Sequence, residues 1–429
     1  MTSLNTGSAQ TAATPTRTAP PIASDSATVV DPAAARATMV SRLEAEGALS
    51  LGAVRAALLS LPLEELIPQA YVRRSPDGET PKRWELLDWS APQDRPELQG
   101  LLYDGGSVPV QHDGEQLLGR ARGVRSGASI TSMSTLMSLT AMLLEELDLR
   151  PGQRVLDVGT GAGVTAAVAC RVCGDTGVVT LDRDQHLTDA AAVRLAALGL
   201  RPTVMCGSGQ AGCPGLTFDR IFVSYAVSKV PAALVEQLAA GGRLLAHVTS
   251  ASPSWPALAV VERDQGGRLR AELRAVESGH RAGHGMDRIY LAEEFRTRIS
   301  TGQGDWTQRS KLAPPADTDR GLWLAVDHLL GGTLVRDFTA EHLAVGAPGC
   351  GSWLRVEPVS ARRWNVITAG PRDLWKEIQD VTDRWRAAGC PDRYPLSFNA
   401  DGTQRASSPC GRLSWPLPAS RPADRSAST

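Results

Sequence analysis

No run of roughly eighteen apolar residues occurs along the 429 residues, and no basic stretch followed by an apolar one opens them. Neither a membrane-spanning helix nor a secretory leader is therefore expected. An excess of one charge is also lacking: 45 Lys+Arg stand against 46 Asp+Glu, a formal net charge of −1. No global field then recommends nucleic acid or an anionic membrane as a partner. Lysine itself is scarce, four residues in all, a compositional bias without mechanistic content. A second close cysteine pair is missing as well, so Cys170-Arg-Val-Cys173 cannot complete a tetrahedral zinc site. Seven cysteines, an odd number without a leader, point to reduced thiols in a cytoplasm.

The length suits about two to three folding units. Residues 1–33 are rich in Ser, Thr, Ala and Pro with few large apolar side chains, which predicts a disordered arm. Apolar spacing through Ala45, Leu49, Val54, Leu58 and Leu61 predicts a largely helical run from Pro32, ended by Pro62. A further helix is expected over 135–149, stopped at Pro151. Strands at 154–158, 177–182, 202–206, 218–224 and 242–249 then alternate with helices at 164–173, 187–198 and 231–240. That alternation implies βαβ units and a parallel sheet, hence an α/β fold. Beyond about residue 300 short Gly- and Pro-punctuated segments carry Trp306, Trp323, Trp353, Trp364, Trp375, Trp385 and Trp415, with one clear helix at 371–388. This pattern suits a smaller α+β domain whose tryptophans form core, with a frayed tail over 418–429.

The chemistry concentrates in Val155-Leu156-Asp157-Val158-Gly159-Thr160-Gly161-Ala162-Gly163, a buried strand running into a glycine turn and then a helix. Glycines let backbone approach a ligand, and a helix start presents free N–H groups. Asp182 ends the next strand, 23 residues after Gly159, where a carboxylate can accept both hydroxyls of a ribose; a solvated strand-end aspartate is the plainer alternative. An adenosine-containing ligand follows, a nicotinamide cofactor included. Two details favour S-adenosyl-L-methionine: the third glycine comes after one residue rather than two, and Asp157 precedes the turn. His280 and His284 are four apart, yet Gly279, Gly283 and Gly285 argue against a helix and so against a metal site.

The run Leu149–Gly163 resembles motif I of the protein-L-isoaspartate O-methyltransferases. Phe218-Asp219-Arg220-Ile221-Phe222-Val223-Ser224-Tyr225-Ala226-Val227, Val230–Leu234 and Gly241-Gly242-Arg243-Leu244 are similar to that family's later motifs. Upstream, Val54–Leu58 and Tyr103-Asp104 resemble its N-terminal helix and the approach to its substrate loop, so the likeness spans roughly residues 45–260. It implies a Rossmann-like class I methyltransferase with a doubly wound, mostly parallel sheet, using S-adenosyl-L-methionine and releasing S-adenosyl-L-homocysteine. The organisation implied is an N-terminal helical and substrate-loop region over 34–134, a cofactor-binding domain over 135–300 and a C-terminal substrate-recognition domain over 301–417. The implied cofactor set is Asp157, Gly159, Thr160, Gly161, Ala162, Gly163, Asp182, Arg183, Gly207, Ser208, Gly209 and Ser224.

In the family's substrate loop a hydroxyl sits just before a helix, which here selects Thr135 or Ser134 to contact the reacting carboxylate. An N-cap for the helix is the structural alternative, since Ser and Thr favour that position. Ser132, Met133, Tyr225 and Val227 complete a peptide-facing set. Two departures stand out. Leu136-Met137 replaces the family's Gln-Pro or Ala-Pro pair, and Gly207-Ser208-Gly209 replaces Gly-Asp-Gly, removing a charge near the adenine. The Ser-x-Ser-Thr loop and the extension, with Gly351-Ser352-Trp353, Gly370–Trp375 and Asp401–Gln404, resemble a subgroup encoded with lanthipeptides and graspetides. That likeness implies methylation of an aspartate in a ring-bearing precursor peptide, leading through an aspartimide to isoaspartate. Repair of isoaspartyl proteins and a non-catalytic partner are the other readings.

Overall fold

A computed structural model describes residues 31–76, 79–127, 129–250, 252, 257–275, 297–338, 342–399 and 401–417. The expected arm up to residue 30, the tail from 418 and the His280/His284 pair lie outside the described residues. The helix begins at Pro32 as expected, so the arm ends earlier than residue 33: the Asp31 carboxylate accepts the Ala33 N–H at 3.1 Å, and Pro32 has no N–H to lose. The helical run expected to Leu61 divides into α1 (Pro32–Ala45) and α2 (Ala53–Ser60), because the chain turns at Gly47 with a φ of 72°. A short α3 (Leu63–Leu66) follows Pro62.

The region before residue 135 is less helical than expected. Strands β1 (Gln69–Arg73), β2 (Arg83–Asp88) and β4 (Gly123–Ser126) form an antiparallel sheet, while β3 (Val108–His112) pairs with β5 (Ile130–Ser134). Helix α4 (Arg95–Tyr103) lies between them in sequence. Helix α5 (Met137–Leu147) has Leu136 at its N-cap and no side chain capping it, so the N-cap role considered for Ser134 and Thr135 is not the one they have.

The alternation read from the sequence holds through β6 (Val155–Val158), α6 (Val164–Cys173), β7 (Val178–Asp182), α7 (Gln185–Ala197), β8 (Thr203–Cys206) and β9 (Phe218–Val227). Helix α8 (Ala232–Glu236) is half the expected length, because β10 (Leu238–Val248) starts early when Leu238 pairs with Phe218. Strands β11 (Ala257–Arg263) and β12 (Leu269–Ala275) extend the sheet antiparallel.

The C-terminal part is α+β, with a second helix that the sequence reading missed. It comprises β13 (Trp306–Ser310), α9 (Arg320–Leu329), β14 (Val335–Phe338), β15 (Leu343–Ala347), β16 (Ser352–Ser360), β17 (Arg363–Ala369), α10 (Leu374–Ala387), β18 (Arg393–Phe398), β19 (Gln404–Ser407) and β20 (Ser414–Pro416). Five of these strands form their own antiparallel sheet, whereas β18 pairs with β12. The main sheet therefore runs β20-β19-β18-β12-β11-β10-β9-β6-β7-β8.

Side chains alternate between two cores across that sheet, as the two-residue period of a strand requires. Phe222 and Leu245 join Met39, Leu58, Leu144, Ala167 and Leu195 on one face. Val223 and Leu244 join Leu234, Trp323, Trp375, Tyr394 and Trp415 on the other. Helices thus cover both faces, the doubly wound α/β arrangement; the first core crosses the boundary expected at 135 and the second the one expected at 301. Of the expected core tryptophans, Trp323, Trp353, Trp375, Trp385 and Trp415 are buried, whereas Trp306 is exposed. No helix of the described residues is long and apolar enough to cross a membrane.

Candidate functional site: a glycine turn between two carboxylates

Chain order reverses between β6 and β9: β7 and β8 lie on one side of β6, β9 and β10 on the other. Such a switch point opens a crevice at the carboxyl ends of parallel strands. The turn after β6 faces it. Gly159 adopts a φ of 106°, closed to ordinary L-residues, and donates to the Leu181 carbonyl at 2.7 Å. Asp182, at the end of β7, turns toward this bend and accepts the Gly161 N–H at 3.1 Å. Its other oxygen accepts the Asp184 N–H at 3.1 Å.

Asp157 lies beneath the turn and is fully buried. Thr180 donates to it at 2.8 Å and Ser224 at 3.2 Å. The Thr180 hydroxyl also lies 2.7 Å from the Thr160 hydroxyl. With one proton per hydroxyl, Thr160 is then the donor to Thr180. Burial drives the Asp157 carboxyl up to about 7; the Thr180 and Ser224 hydrogen bonds oppose this, and the Asp182 charge adds to it. Burial raises Asp182 too, against the amides of Gly161, Asp184 and Arg183 that favour its anion. Two carboxyls with weakened acidity therefore flank one glycine turn.

The expected cofactor residues take different places around the turn. Thr160 and Ala162 are buried in the turn, and Gly163 is the α6 N-cap. Gly207 donates to the Asp182 carbonyl at 2.7 Å, which ties the Gly-Ser-Gly turn to β7. Ser208 is exposed and accepts the Gln210 N–H at 3.3 Å, a local turn contact. Arg183 is exposed, its carbonyl 3.5 Å from the Cys206 thiol. Gly209 is set by close approach: a Cβ there would overlap the Tyr225 hydroxyl and lie 2.6 Å from Val158 Cγ1.

That contact relocates Tyr225, expected to face the peptide. Its ring lies across the crevice from Gly209 to Gly159, where an added Cβ would meet Tyr225 Cδ1 at 3.0 Å. Burial, then the Asp182 charge, hold its hydroxyl above the ordinary tyrosine value. Val227, also expected to face the peptide, is buried in the second core, and its carbonyl accepts the Thr249 N–H at 2.8 Å. Its side chain is unavailable to a peptide.

Strand β5 brings hydroxyls to the crevice. A Cβ on Gly161 would lie 3.8 Å from Ser132 Oγ, so this hydroxyl borders the glycine turn. Ser134 and Thr135 follow, both half-buried at the end of the strand. Met133 packs with Tyr71, Trp84 and Ile130 on the N-terminal sheet.

Sequence reasoning missed the residue that anchors β5. Gln111, fully buried in β3, accepts the Thr131 hydroxyl at 2.8 Å and donates to Asp184 at 2.8 Å. Asp184 caps α7 through the His186 N–H at 2.8 Å. One amide thus joins the hydroxyl-bearing strand to the carboxylate strand. The signal was present, since Gln111 and Thr180 are polar residues following apolar ones in strands, and buried polar groups are there to be hydrogen-bonded. Among the described residues no group of three or more His, Cys, Asp or Glu could hold a metal ion.

Residues 122–276 match the family model described as protein-L-isoaspartate(D-aspartate) O-methyltransferase. A protein-L-isoaspartate O-methyltransferase of Methylorubrum populi is 47% identical over 111 residues, 26% of this chain and 51% of that one. The chain thus spans about half the length of that relative. One from Ignicoccus hospitalis is 32% identical over 191 residues, 43% of this chain and 79% of that one. A solved protein-L-isoaspartate O-methyltransferase superposes with a TM-score of 0.44 at 19% identity, covering 89% of this chain and 98% of the other. With four-fifths of the Ignicoccus protein matched above 30% identity, the chain belongs to the protein-L-isoaspartate O-methyltransferase family.

Proposed function

We propose that this protein is an S-adenosyl-L-methionine-dependent carboxyl O-methyltransferase whose acceptor is an aspartyl-type carboxylate in a protein or peptide. The observation that carries this reading is the crevice at β6 and β9. There the Gly161 amide and the Asp182 carboxylate converge, with the Ser132 hydroxyl alongside. The residues suit the cofactor: Gly159 and Gly209 leave no room for side chains, and Asp182 offers a carboxylate to ribose hydroxyls. When bound, the cofactor supplies a methyl group on a sulfonium. Transfer of that methyl group to a carboxylate oxygen would leave the C–S electron pair on a neutral thioether. A carboxylate is already ionised near neutrality, so the chain has no need of a strong base. Its work is orientation, which the hydroxyls of Ser132, Ser134 and Thr135 supply to the acceptor.

The primary acceptor on this reading is isoaspartate, the acceptor in the relatives' names. In the resulting methyl ester the neighbouring backbone nitrogen displaces methanol to close a succinimide, and water reopens that ring to aspartate or isoaspartate. A second reading takes an ordinary aspartate in a ring-bearing ribosomal peptide. It is favoured by the five-stranded sheet and edge hairpin added after residue 301, which would serve to recognise such a substrate. The reading places the enzyme in the cytoplasm, where its seven free cysteines stay reduced.

Methyl transfer from labelled S-adenosyl-L-methionine to three peptides tests this: isoaspartyl, linear aspartyl and ring-bearing aspartyl. Transfer to the isoaspartyl peptide supports the first reading, and transfer to the ring-bearing peptide alone supports the second. Label in none of them, with S-adenosyl-L-homocysteine giving no heat of binding, would overturn both.

A further inference from the structure

The exit of β9 is held by the C-terminal part of the chain. Gln404, at the start of β19, is buried at 3% exposure. Its carbonyl oxygen accepts the Val230 N–H at 3.1 Å, and its amide donates to the Val230 carbonyl at 2.6 Å. One side chain thereby satisfies both backbone groups of a fully buried residue 174 positions away. Beside it the Lys229 ammonium donates to the Gly402 carbonyl at 3.4 Å. A second tether joins the exit of β10, where the buried Ser252 hydroxyl accepts the Leu334 N–H at 3.0 Å. Both tethers grip the carboxyl ends of parallel strands, the end that carries Gly159, Asp182 and Tyr225. Lys229 and Val230 follow Tyr225 by four and five residues, so the clasp fixes the segment leaving the crevice.

We propose that the β18–β19 hairpin is a structural wall of the acceptor site, and that Gln404 is its positioning residue, anchoring buried Val230 so that the half-buried Ser228 and Lys229 stand where an acceptor peptide meets them. The proposal rests on the methyltransferase reading above and adds where acceptor choice is set. Gln404 touches neither the glycine turn nor Asp182, so its effect belongs in acceptor affinity rather than in cofactor binding. The hairpin reaches the site because β18 continues the main sheet beyond β12, pairing Leu273 with Tyr394, and this covalently distant segment becomes an edge of the catalytic sheet.

The test uses the full chain with Gln404→Met, which keeps the length and removes both hydrogen bonds, and Gln404→Glu, which keeps an acceptor for the Val230 N–H. Acceptor KM is measured with whichever of the three peptides accepts label. S-adenosyl-L-homocysteine affinity is measured by calorimetry, and amide exchange is followed over 227–231. Losing two net hydrogen bonds should raise acceptor KM about tenfold in Gln404→Met, with kcat and S-adenosyl-L-homocysteine affinity changing less than about threefold. Gln404→Glu should recover part of the KM, and exchange over 227–231 should accelerate in Gln404→Met. An unchanged KM, or an equal loss of S-adenosyl-L-homocysteine affinity, overturns the proposal. Should Gln404→Met fail to fold, Ser252→Ala and Lys229→Met carry the same expectation in weaker form, and unchanged KM in both overturns it. Failure of the wild-type chain to bind S-adenosyl-L-homocysteine would instead bring down the methyltransferase reading itself.

Discussion

Asp157 is fully buried, and burial outweighs its two hydroxyl donors, leaving its carboxyl at about 7 against an ordinary value of 3.8. The folded chain therefore keeps this proton over a range in which the unfolded chain has released it. Stability from this group is complete below about pH 4 and is lost as pH rises toward about 7, because over that window the folded state binds more protons. Asparagine does not titrate, so the stability of wild type minus that of Asp157→Asn should fall across this window and level off above it. Denaturant unfolding at a series of pH values reads this, and parallel curves would contradict it. Asp182 makes the complementary case. Its carboxylate is held by the amides of Gly161 and Asp184 and is the ribose acceptor on the proposed reading. Asp182→Ala removes charge-assisted hydrogen bonds worth about 1.5–3 kcal/mol, so S-adenosyl-L-homocysteine should bind about 10- to 100-fold more weakly by calorimetry.

Among the elements, those set by local period were legible and those set by pairing with a distant segment were not, for a physical reason. Strand β6 with helix α6, and β7 with α7, are set by local period and by glycines, so Asp157, the turn and Asp182 were placed from sequence. Helix α8 was overestimated because its last turn yields to pairing of Leu238 with Phe218, a contact no local pattern announces. The same holds for β3 and β5, whose pairing contains two register shifts around Gln111. Here Gln111 has more than a packing role, since Thr131 and Asp184 both depend on its amide. Gln111→Leu would leave those groups short of a partner and should cost about 1–3 kcal/mol in denaturant unfolding. The loss should be larger than that from Gln69→Leu, because the Gln111 side chain is fully buried and that of Gln69 only half-buried. Equal losses would remove Gln111 from the site's scaffold.

For the molecule as a whole, the question is whether the C-terminal part folds as a separate unit. Its centre is an ion pair: Arg336 and Asp327 meet at 2.8 Å with side chains 1% and 0% exposed, and the guanidinium stands 4.7 Å from the centre of the Trp323 ring. Trp323 belongs to the same core as Val223 and Leu244 of the catalytic sheet, and β18 is hydrogen-bonded to β12. The sequence suggested a separate C-terminal domain because its periodicity registers elements and not the contacts between them. Removing one partner of a buried pair leaves an uncompensated charge, a cost of about 3–5 kcal/mol. If the core is shared, Asp327→Ala should lower the unfolding transition of the entire chain. Tryptophan emission, weighted toward the C-terminal part, and far-ultraviolet dichroism, weighted toward the whole, should then move together. Saturation with S-adenosyl-L-homocysteine at about 100 times its Kd should return about 2.7 kcal/mol to both signals. A variant in which only the tryptophan transition moves, while ligand still stabilises the dichroism signal, would mean two independent units, and Gln404 would then join bodies that fold apart.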